Sequence, residues 1–426
     1  MNAPLRHPPV LDNQPDMLAS SDTWFMPHPD RDEPVGRLAR RLFRTLRLHD
    51  RPRHPRARLL HVPFLRELAL SAHGLYCLFS LGGDVARRFG KSRRRQLLEI
   101  AGLAMRDGLD AQTYYMQELY GDGGDQRAAH TLTSFETKNG LFTALKRFAP
   151  RRTTGRSPLG DKLAFHARCR RHGVTTVPIL LSAARGRCEL LDGGIVPGAD
   201  LFMKPRHGKG ARGAGLLRHL GDNHYRGDEG RILSTDSLLA DIARRSLETP
   251  YLLQPRLTNH RDIADLADDS LLVVRVITCL GADHQPIVTH GMLRVIGKLE
   301  PQWHDATEYA APIDLATGRM GAMTGDKLAA ALDWHLHHPV TGAPVAGRIL
   351  AAWPAVREAA CAAHRAFTDR ILLGWDIAVT PQGIVVIEGN ALPDVAFLQR
   401  VHRQPIGRSR LGPLLRGYLD RLALVE

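Results

Sequence analysis

Asp376, Glu388 and Asn390 are two carboxylates and an amide spaced regularly near the C-terminal end of the chain, within Gly374-Trp375-Asp376 and Glu388-Gly389-Asn390. Between them, two β-branched apolar runs flank Pro381-Gln382-Gly383. This sequence reads as a hairpin, because Pro presets one turn dihedral and Gly accepts positive φ. With the turn centred on Gln382, Asp376 and Glu388 lie six residues to either side and face one another across the ladder. Opposed side chains have Cβ atoms roughly 5 Å apart and like charges so placed repel, so a cation between them would offset the repulsion. Alternation along the strand puts Asn390 on the face of Glu388. Such a set suits a hard divalent cation such as Mg²⁺, which takes oxygen ligands and leaves positions for substrate phosphates. The other reading is a surface hairpin with solvated acids; the intervening apolar residues, which imply a buried sheet, favour the metal.

A second constellation is the loop Pro205-Arg206-His207-Gly208-Lys209-Gly210-Ala211-Arg212-Gly213-Ala214-Gly215. Its glycines and cations let backbone N–H groups and positive charge close on phosphates. Gly208, Gly210 and Gly213 match the spacing GxGxxG, but Lys209 and Arg212 fill the variable positions and a strand, not a helix, resumes at Gly215. The pattern is read instead as a flexible hairpin folded over a nucleotide, with Lys204 on the strand before it. The alternative is a mobile surface hairpin with solvated charges.

Between and around these groups, Asp161 to His172 has a helical pattern ended by Gly173, and Thr176 to Leu181 reads as a strand. Further strands are expected at Asp200 to Lys204, Tyr251 to Pro255 and Leu271 to Leu280, and a helix at Ala351 to Arg370. Residues 56–150 read as a mainly helical domain, with apolar faces carrying Leu68, Leu97, Leu98, Ala101, Ala104, Met105, Tyr114, Tyr115 and Leu119. Within it, Lys91 to Arg95 reads as a solvated helix start rather than a phosphate contact. Residues 1–55, rich in Pro, His, Asp and Arg, read as a flexible basic leader. In that leader, Gly36 to Asp50 has the pattern of a basic amphipathic helix, suited to the protein's own body or to peripheral contact with an anionic membrane. His335, His337 and His338 could suggest a metal, but the context before Pro339 favours a solvated turn.

The 426 residues, 43% of them hydrophobic, suffice for one large core or two to three ordinary ones. Five scattered cysteines without a CxxC pair argue against a disulfide framework or zinc site and fit a reducing, cytoplasmic setting. No secretory h-region or spanning stretch is recognised. The net charge of +14 favours anionic partners, while only 6% aromatic residues argues against a stacking platform for nucleic acid.

Several motifs in order resemble the ATP-grasp enzymes: Lys162 in Gly160-Asp161-Lys162-Leu163-Ala164-Phe165, Lys204 in Leu201-Phe202-Met203-Lys204-Pro205, Gln254 in Leu252-Leu253-Gln254-Pro255, and the Asp376, Glu388 and Asn390 set. The resemblance is closest to the ATP-grasp proteins associated with sugar transfer and cell-surface polysaccharide genes. It rests on Asn259-His260, Leu272 to Thr278, His338-Pro339-Val340-Thr341-Gly342 and Glu388 to Asp394, and covers roughly residues 155–410. It implies an α+β fold of two lobes clasping ATP over residues 155–415, behind the helical N-terminal domain.

The resemblance also implies roles. Lys162 and Lys204, with Gly208, Gly210 and Gly213, would grip the phosphates. Gln254 and the backbone of Pro255 to Leu257 would meet adenine, and Asp376, Glu388 and Asn390 would hold Mg²⁺. Arg275 and Arg294 are candidates for receiving the transferring phosphoryl group or an acidic substrate, with structural ion pairs as the alternative. Where such relatives tend to carry an Asp-Asn pair after Arg294, this chain has His304-Asp305-Ala306-Thr307-Glu308, so its acceptor pocket differs, and Glu308 is a candidate third acid near the metal. The chemistry implied is ATP-dependent ligation, in which a carboxylate is activated as an acylphosphate and captured by an amine. The substrate would be an acidic small molecule or a sugar-linked acid. A kinase acting on a non-carboxylate acceptor is the alternative, and a nucleotide-sensing binding protein the third reading.

Overall fold

Two antiparallel sheets dominate the C-terminal two-thirds of the chain. They are seen in a computed structural model that describes residues 33–39, 63–133, 137, 141–145, 148, 158–195, 198–208, 213–227, 230–267, 269–296 and 308–423. The first sheet comprises β1 (Leu181–Ala184), β2 (Arg187–Leu190), β3 (Leu201–Pro205), β4 (Gly215–Gly221), β5 (His224–Gly227), β6 (Ile232–Ser234) and β7 (Tyr251–Pro255), in the order β2-β1-β7-β3-β4-β5-β6. The second comprises β8 (Val273–Leu280), β9 (Pro286–Ile296), β10 (Glu308–Ile313), β11 (Thr324–Gly325), β12 (Leu372–Thr380) and β13 (Gly383–Asn390), in the order β11-β10-β9-β8-β12-β13.

Period-2 alternation divides the residues of the second sheet between two cores. On one face Val274, Val276, Leu293, Val295, Trp375 and Ile377 pack on Val356, Ala360 and Ala363 of a helix, Trp353–Ala366. The opposite face is apolar only at one end. There Ile277, Cys279, Met292, Ala310 and Leu372 meet the helices Val395–His402 and Leu411–Ala423. At its other end this face carries Arg275, Arg294, Glu308, Asp376, Glu388 and Asn390, so the sheet itself separates core from polar site. A smaller core under the first sheet joins Leu201, Met203 and Leu253 to the helix Thr235–Arg245, leaving Phe202, Lys204 and Gln254 on the other side. The lobes are tied where Val386 N–H donates to Thr175 C=O and His260 N–H to Val379 C=O.

The strand expected at Thr176 to Leu181 is displaced. Thr176 makes one parallel bridge to Val386, residues 177–180 belong to no strand, and the strand proper begins at Leu181. The N-terminal region is helical, with α1 (Pro63–Phe89), α2 (Arg93–Asp107), α3 (Ala111–Met116) and α4 (Gly124–His130). The buried face of α2 differs from the expected one. Leu97, Leu98, Ala101, Ala104 and Met105 are exposed, and Gln96, Ile100, Leu103 and Asp107 point inward. Gln96 is buried because its amide is used, donating to Gly82 and Lys91 carbonyls and accepting from Tyr115 Oη at 2.7 Å. Asp107 is likewise held by Arg37 and Arg106, both at 2.8 Å. Ser92 caps α2, and Lys91 and Arg95 pair with Glu99.

Of the expected amphipathic helix, residues 35–39 are helical, and Leu38 is buried in the core beside Leu398 and Leu415. The remainder lies outside the described residues. His338 is buried rather than solvated, its ring accepting from Thr341 N–H at 2.9 Å. Among the described residues no helix is long and apolar enough to cross a membrane, and no cluster of three His, Cys, Asp or Glu side chains could hold a metal.

Candidate active site

The β12–β13 hairpin opposes Asp376 to Glu388 and Gly374 to Asn390, but by a route the sequence does not suggest. Its turn is tighter than one centred on Gln382, with Thr380 opposite Gly383 and Ile377 opposite Val386. Continued evenly, that register would oppose Asp376 to Ile387 and send Glu388 to the Trp375 face, since a one-residue slip exchanges the faces of a strand. A bulge between Asp376 and Ile377 absorbs Ile387 and returns Glu388 and Asn390 to the face of Asp376.

The charge on Asp376 is offset by side chains of its own sheet. Arg275, its partner on β8, donates from Nε to one carboxylate oxygen and from Nη2 to the other at 2.9 Å. Arg294 Nη1 reaches both oxygens at 3.3 and 3.4 Å, and Asn390 Nδ2 donates to Oδ2 at 3.3 Å. Burial pushes the Asp376 carboxyl up, but Arg275 and then Arg294 outweigh it and hold the group below the usual carboxylate range. Glu388 is driven the other way, first by burial and then by the charge of Asp376 and a hydrogen bond with it. Of the two opposed acids, Glu388 therefore holds a proton more readily. Glu308, a candidate third acid in the sequence, receives both arms of Arg294. That contact crosses from β9 to β10 over a long connection, and local spacing carries no signal for it.

The lysines stand on the first lobe. Lys204, on β3, is depressed to about 8 by burial and by Lys162, against the attraction of Glu388. Lys162 opens the helix Lys162–Arg171 and is also depressed by burial, with Glu388 again opposing. Its Nζ donates to Gly208 C=O at 3.2 Å. Asp161 caps this helix by accepting from Leu163 and Ala164 N–H, and it also takes Arg206 on both oxygens. Arg206 leads directly into the glycine loop, so one carboxylate fixes both the start of the Lys162 helix and the root of the loop.

Gly208, at φ +126, and Gly213, at φ +73, adopt conformations that other residues rarely take. Gly210, with Lys209 and Arg212, lies outside the described residues. Gln254 faces the cleft opposite Phe202, and its amide donates to Val177 C=O at 3.3 Å. Pro255 and Leu257 are half-buried at the edge of the same lobe. Asn259 clamps the connection to β8, donating to Ser270 C=O and accepting from Leu272 N–H.

A family model described as sugar-transfer associated ATP-grasp matches residues 146–409. No curated protein matches the chain. Among solved structures, the chain is similar to the VanG D-Ala:D-Ser ligase from Enterococcus faecalis at 13% identity and a TM-score of 0.34, over 62% of this chain and 60% of that one. It is also similar to the N5-carboxyaminoimidazole synthetase from Staphylococcus aureus complexed with ADP, at 12% identity and a TM-score of 0.33, over 55% of this chain and 45% of that one. The chain thus spans less than two-thirds of the length of either protein. The family match begins before Lys162, ends beyond Asn390 and takes in both sheets, and the chain belongs to the sugar-transfer associated ATP-grasp family.

Proposed function

We propose that the cleft between the two sheets binds ATP with Mg²⁺ and activates a substrate carboxylate as an acylphosphate, which an amine or similar nucleophile captures. The observation that carries this reading is the opposed acid pair Asp376 and Glu388 on one lobe, with Glu388 within Coulombic range of Lys204 and Lys162 on the other. Such an arrangement suits a polyphosphate, whose charge the lysines receive while the acids retain a cation on its far side.

Asp376, Glu388 and Asn390 present oxygen donors on one face of one hairpin, a donor set that fits Mg²⁺. When bound, the ion would neutralise charge on the phosphates. Lys162 and Lys204 grip phosphate oxygens, and the loop bearing Gly208, Gly210 and Gly213 covers them. Gln254 and the backbone of Pro255 to Leu257 border the adenine. Arg275 spends Nε and Nη2 on Asp376, which leaves Nη1 to donate to the transferring phosphoryl group, and Arg294 is assigned to the acidic substrate.

In the reaction a carboxylate oxygen bonds to Pγ as the Pγ–O bond to ADP breaks. The amine nitrogen then bonds to the carbonyl carbon, inorganic phosphate leaves, and the nitrogen gives up its proton to solvent. A carboxylate is already an anion at neutral pH and needs no base, whereas an alcohol acceptor gains from one. The acids of the site are engaged, Asp376 by arginines and Glu388 by Asp376. Catalysis then consists mainly of alignment and charge neutralisation in a site closed to water. We assign the substrate to the acidic small molecules or sugar-linked acids of cell-surface polysaccharide or peptide-like metabolite synthesis, and the reaction to the cytoplasm, where ATP is supplied.

Incubation with ATP, Mg²⁺, hydroxylamine and a panel of candidate acids tests the reading. A hydroxamate formed with an equal amount of ADP is expected. A phosphate ester that survives hydroxylamine would overturn ligation in favour of a kinase.

A further inference from the structure

Away from the cleft, a cavity of about 230 Å³ lies between the N-terminal helices and the helix Val395–His402, and its chemistry is unrelated to the nucleotide reading. Its walls include Phe89 and Met116 on one side and the guanidinium groups of Arg127, Arg400 and Arg403 on another. Three arginines so close require negative charge, and Glu118 supplies part of it. Glu118 is held in the left-handed backbone region at φ +51, and its carboxylate accepts from Trp334 Nε1 at 2.7 Å, Arg400 Nη1 at 2.8 Å and Arg403 Nη2 at 2.8 Å. That carboxylate is thereby fully used.

Arg127 has no carboxylate partner among the described residues. Its bonds go to the backbone carbonyls of Asp122 and Glu118, and burial, with Arg403 and Arg408 nearby, pulls its pKa down. Even with the Asp122 carboxylate at the rim, the cavity keeps one cation in excess. Independently, Tyr120 lines the same space, is 2% exposed, and its hydroxyl has no hydrogen-bond partner. A buried donor left unmade carries a desolvation penalty, which a ligand acceptor would remove.

We propose that this cavity is a binding site for a small organic carboxylate, whose oxyanion is received by Tyr120 and Arg127 and whose apolar body lies against Phe89 and Met116. The volume admits a ligand of fragment size, and the pairing of an apolar wall with convergent polar groups is that of a small-molecule site. The excess positive charge selects an anion.

The test titrates the full-length protein with benzoate, by calorimetry, without nucleotide. Wild-type protein should bind with a dissociation constant on the order of 1 mM, as suits so small a ligand. Tyr120→Phe should weaken binding about tenfold, the worth of one hydrogen bond to a charged group, with an unchanged or higher melting temperature because the lost hydroxyl had no partner. Arg127→Gln should weaken it at least as much, and benzamide, uncharged and of the same shape, should bind about tenfold more weakly than benzoate. The proposal is overturned by absence of saturable benzoate binding, by benzamide binding equally well, or by wild-type affinity in both variants, which would assign the benzoate to another site.

Discussion

Arg275 and Asp376 are cross-strand partners on β8 and β12, joined by two hydrogen bonds where their side chains keep only 12% and 8% of their exposure. Breaking such a pair from one side leaves the other charge buried and alone, which costs more than the pair itself contributes. Asp376→Asn should therefore destabilise the nucleotide-free protein by about 2–4 kcal/mol, measured by urea denaturation. Adding Arg275→Met should recover part of the loss. Unchanged stability in the single variant would mean that Asp376 is not held as described.

Glu388 predicts the opposite sign. Its pKa lies above the ordinary 4.5, so the stability it contributes is complete below that pH and is lost as pH rises through the raised value. Glu388→Gln, which mimics the protonated acid, should stabilise the nucleotide-free protein at pH 7 by roughly 0.5–1 kcal/mol, the scale of like charges opposed across strands. That gain should vanish below pH 4.5. The same variant should abolish ADP formation. A loss of stability at pH 7 would show that attraction to Lys204 and Lys162 outweighs repulsion from Asp376.

Lys204 gives a pH dependence of binding. With its pKa near 8, the ammonium that would grip phosphate is increasingly neutral above that pH, and ATP affinity should fall as pH rises from 7 to 9. Lys204→Ala should weaken ATP by roughly 1.5–3 kcal/mol at pH 7 and flatten the profile. Calorimetry in buffers of different ionisation heat should also detect proton uptake on binding near pH 8. A sloping profile in the alanine variant would assign the titration elsewhere.

The bulge offers a test by deletion. Removing Ile387, the extra residue, leaves Glu388 directly after Val386, so even pairing still sets Glu388 opposite Asp376 and keeps Asn390 on the same face. Wild-type protein at about 100 times the dissociation constant of ATP with Mg²⁺ should gain about 2.7 kcal/mol, seen as a higher melting temperature. The deletion variant, if its circular dichroism is retained, should keep most of this gain. Loss of the gain would show that the local bend of the bulge, beyond the face it restores, aims Glu388.

How far the sequence reveals these features depends on distance along the chain. The hairpin and its opposed acids are legible because turn chemistry and alternation act locally, although the expected register is reached only because a tighter turn and a bulge compensate each other. The buried face of α2 is misread because Gln96 and Asp107 are counted as polar while their partners, Tyr115 and Arg37, lie beyond the reach of helical periodicity. The engagement of Arg275 with Asp376 depends on β8 lying beside β12, a pairing 101 residues apart. Glu118 and Arg400, separated by 282 residues, leave no local trace of their contact.

Asp161 joins two parts that, under the proposed function, would otherwise each have to be ordered on binding a phosphate. By capping the Lys162 helix and holding Arg206 at the root of the glycine loop, it makes the lysine and the base of the loop one mechanical piece. The conformational entropy of arranging that piece is lost at folding, so under the proposed function it would not be lost again at binding. Pre-organisation of this kind separates the placement of the lysine from the composition of the sequence that follows Gly208, so substitutions there would leave the lysine in place.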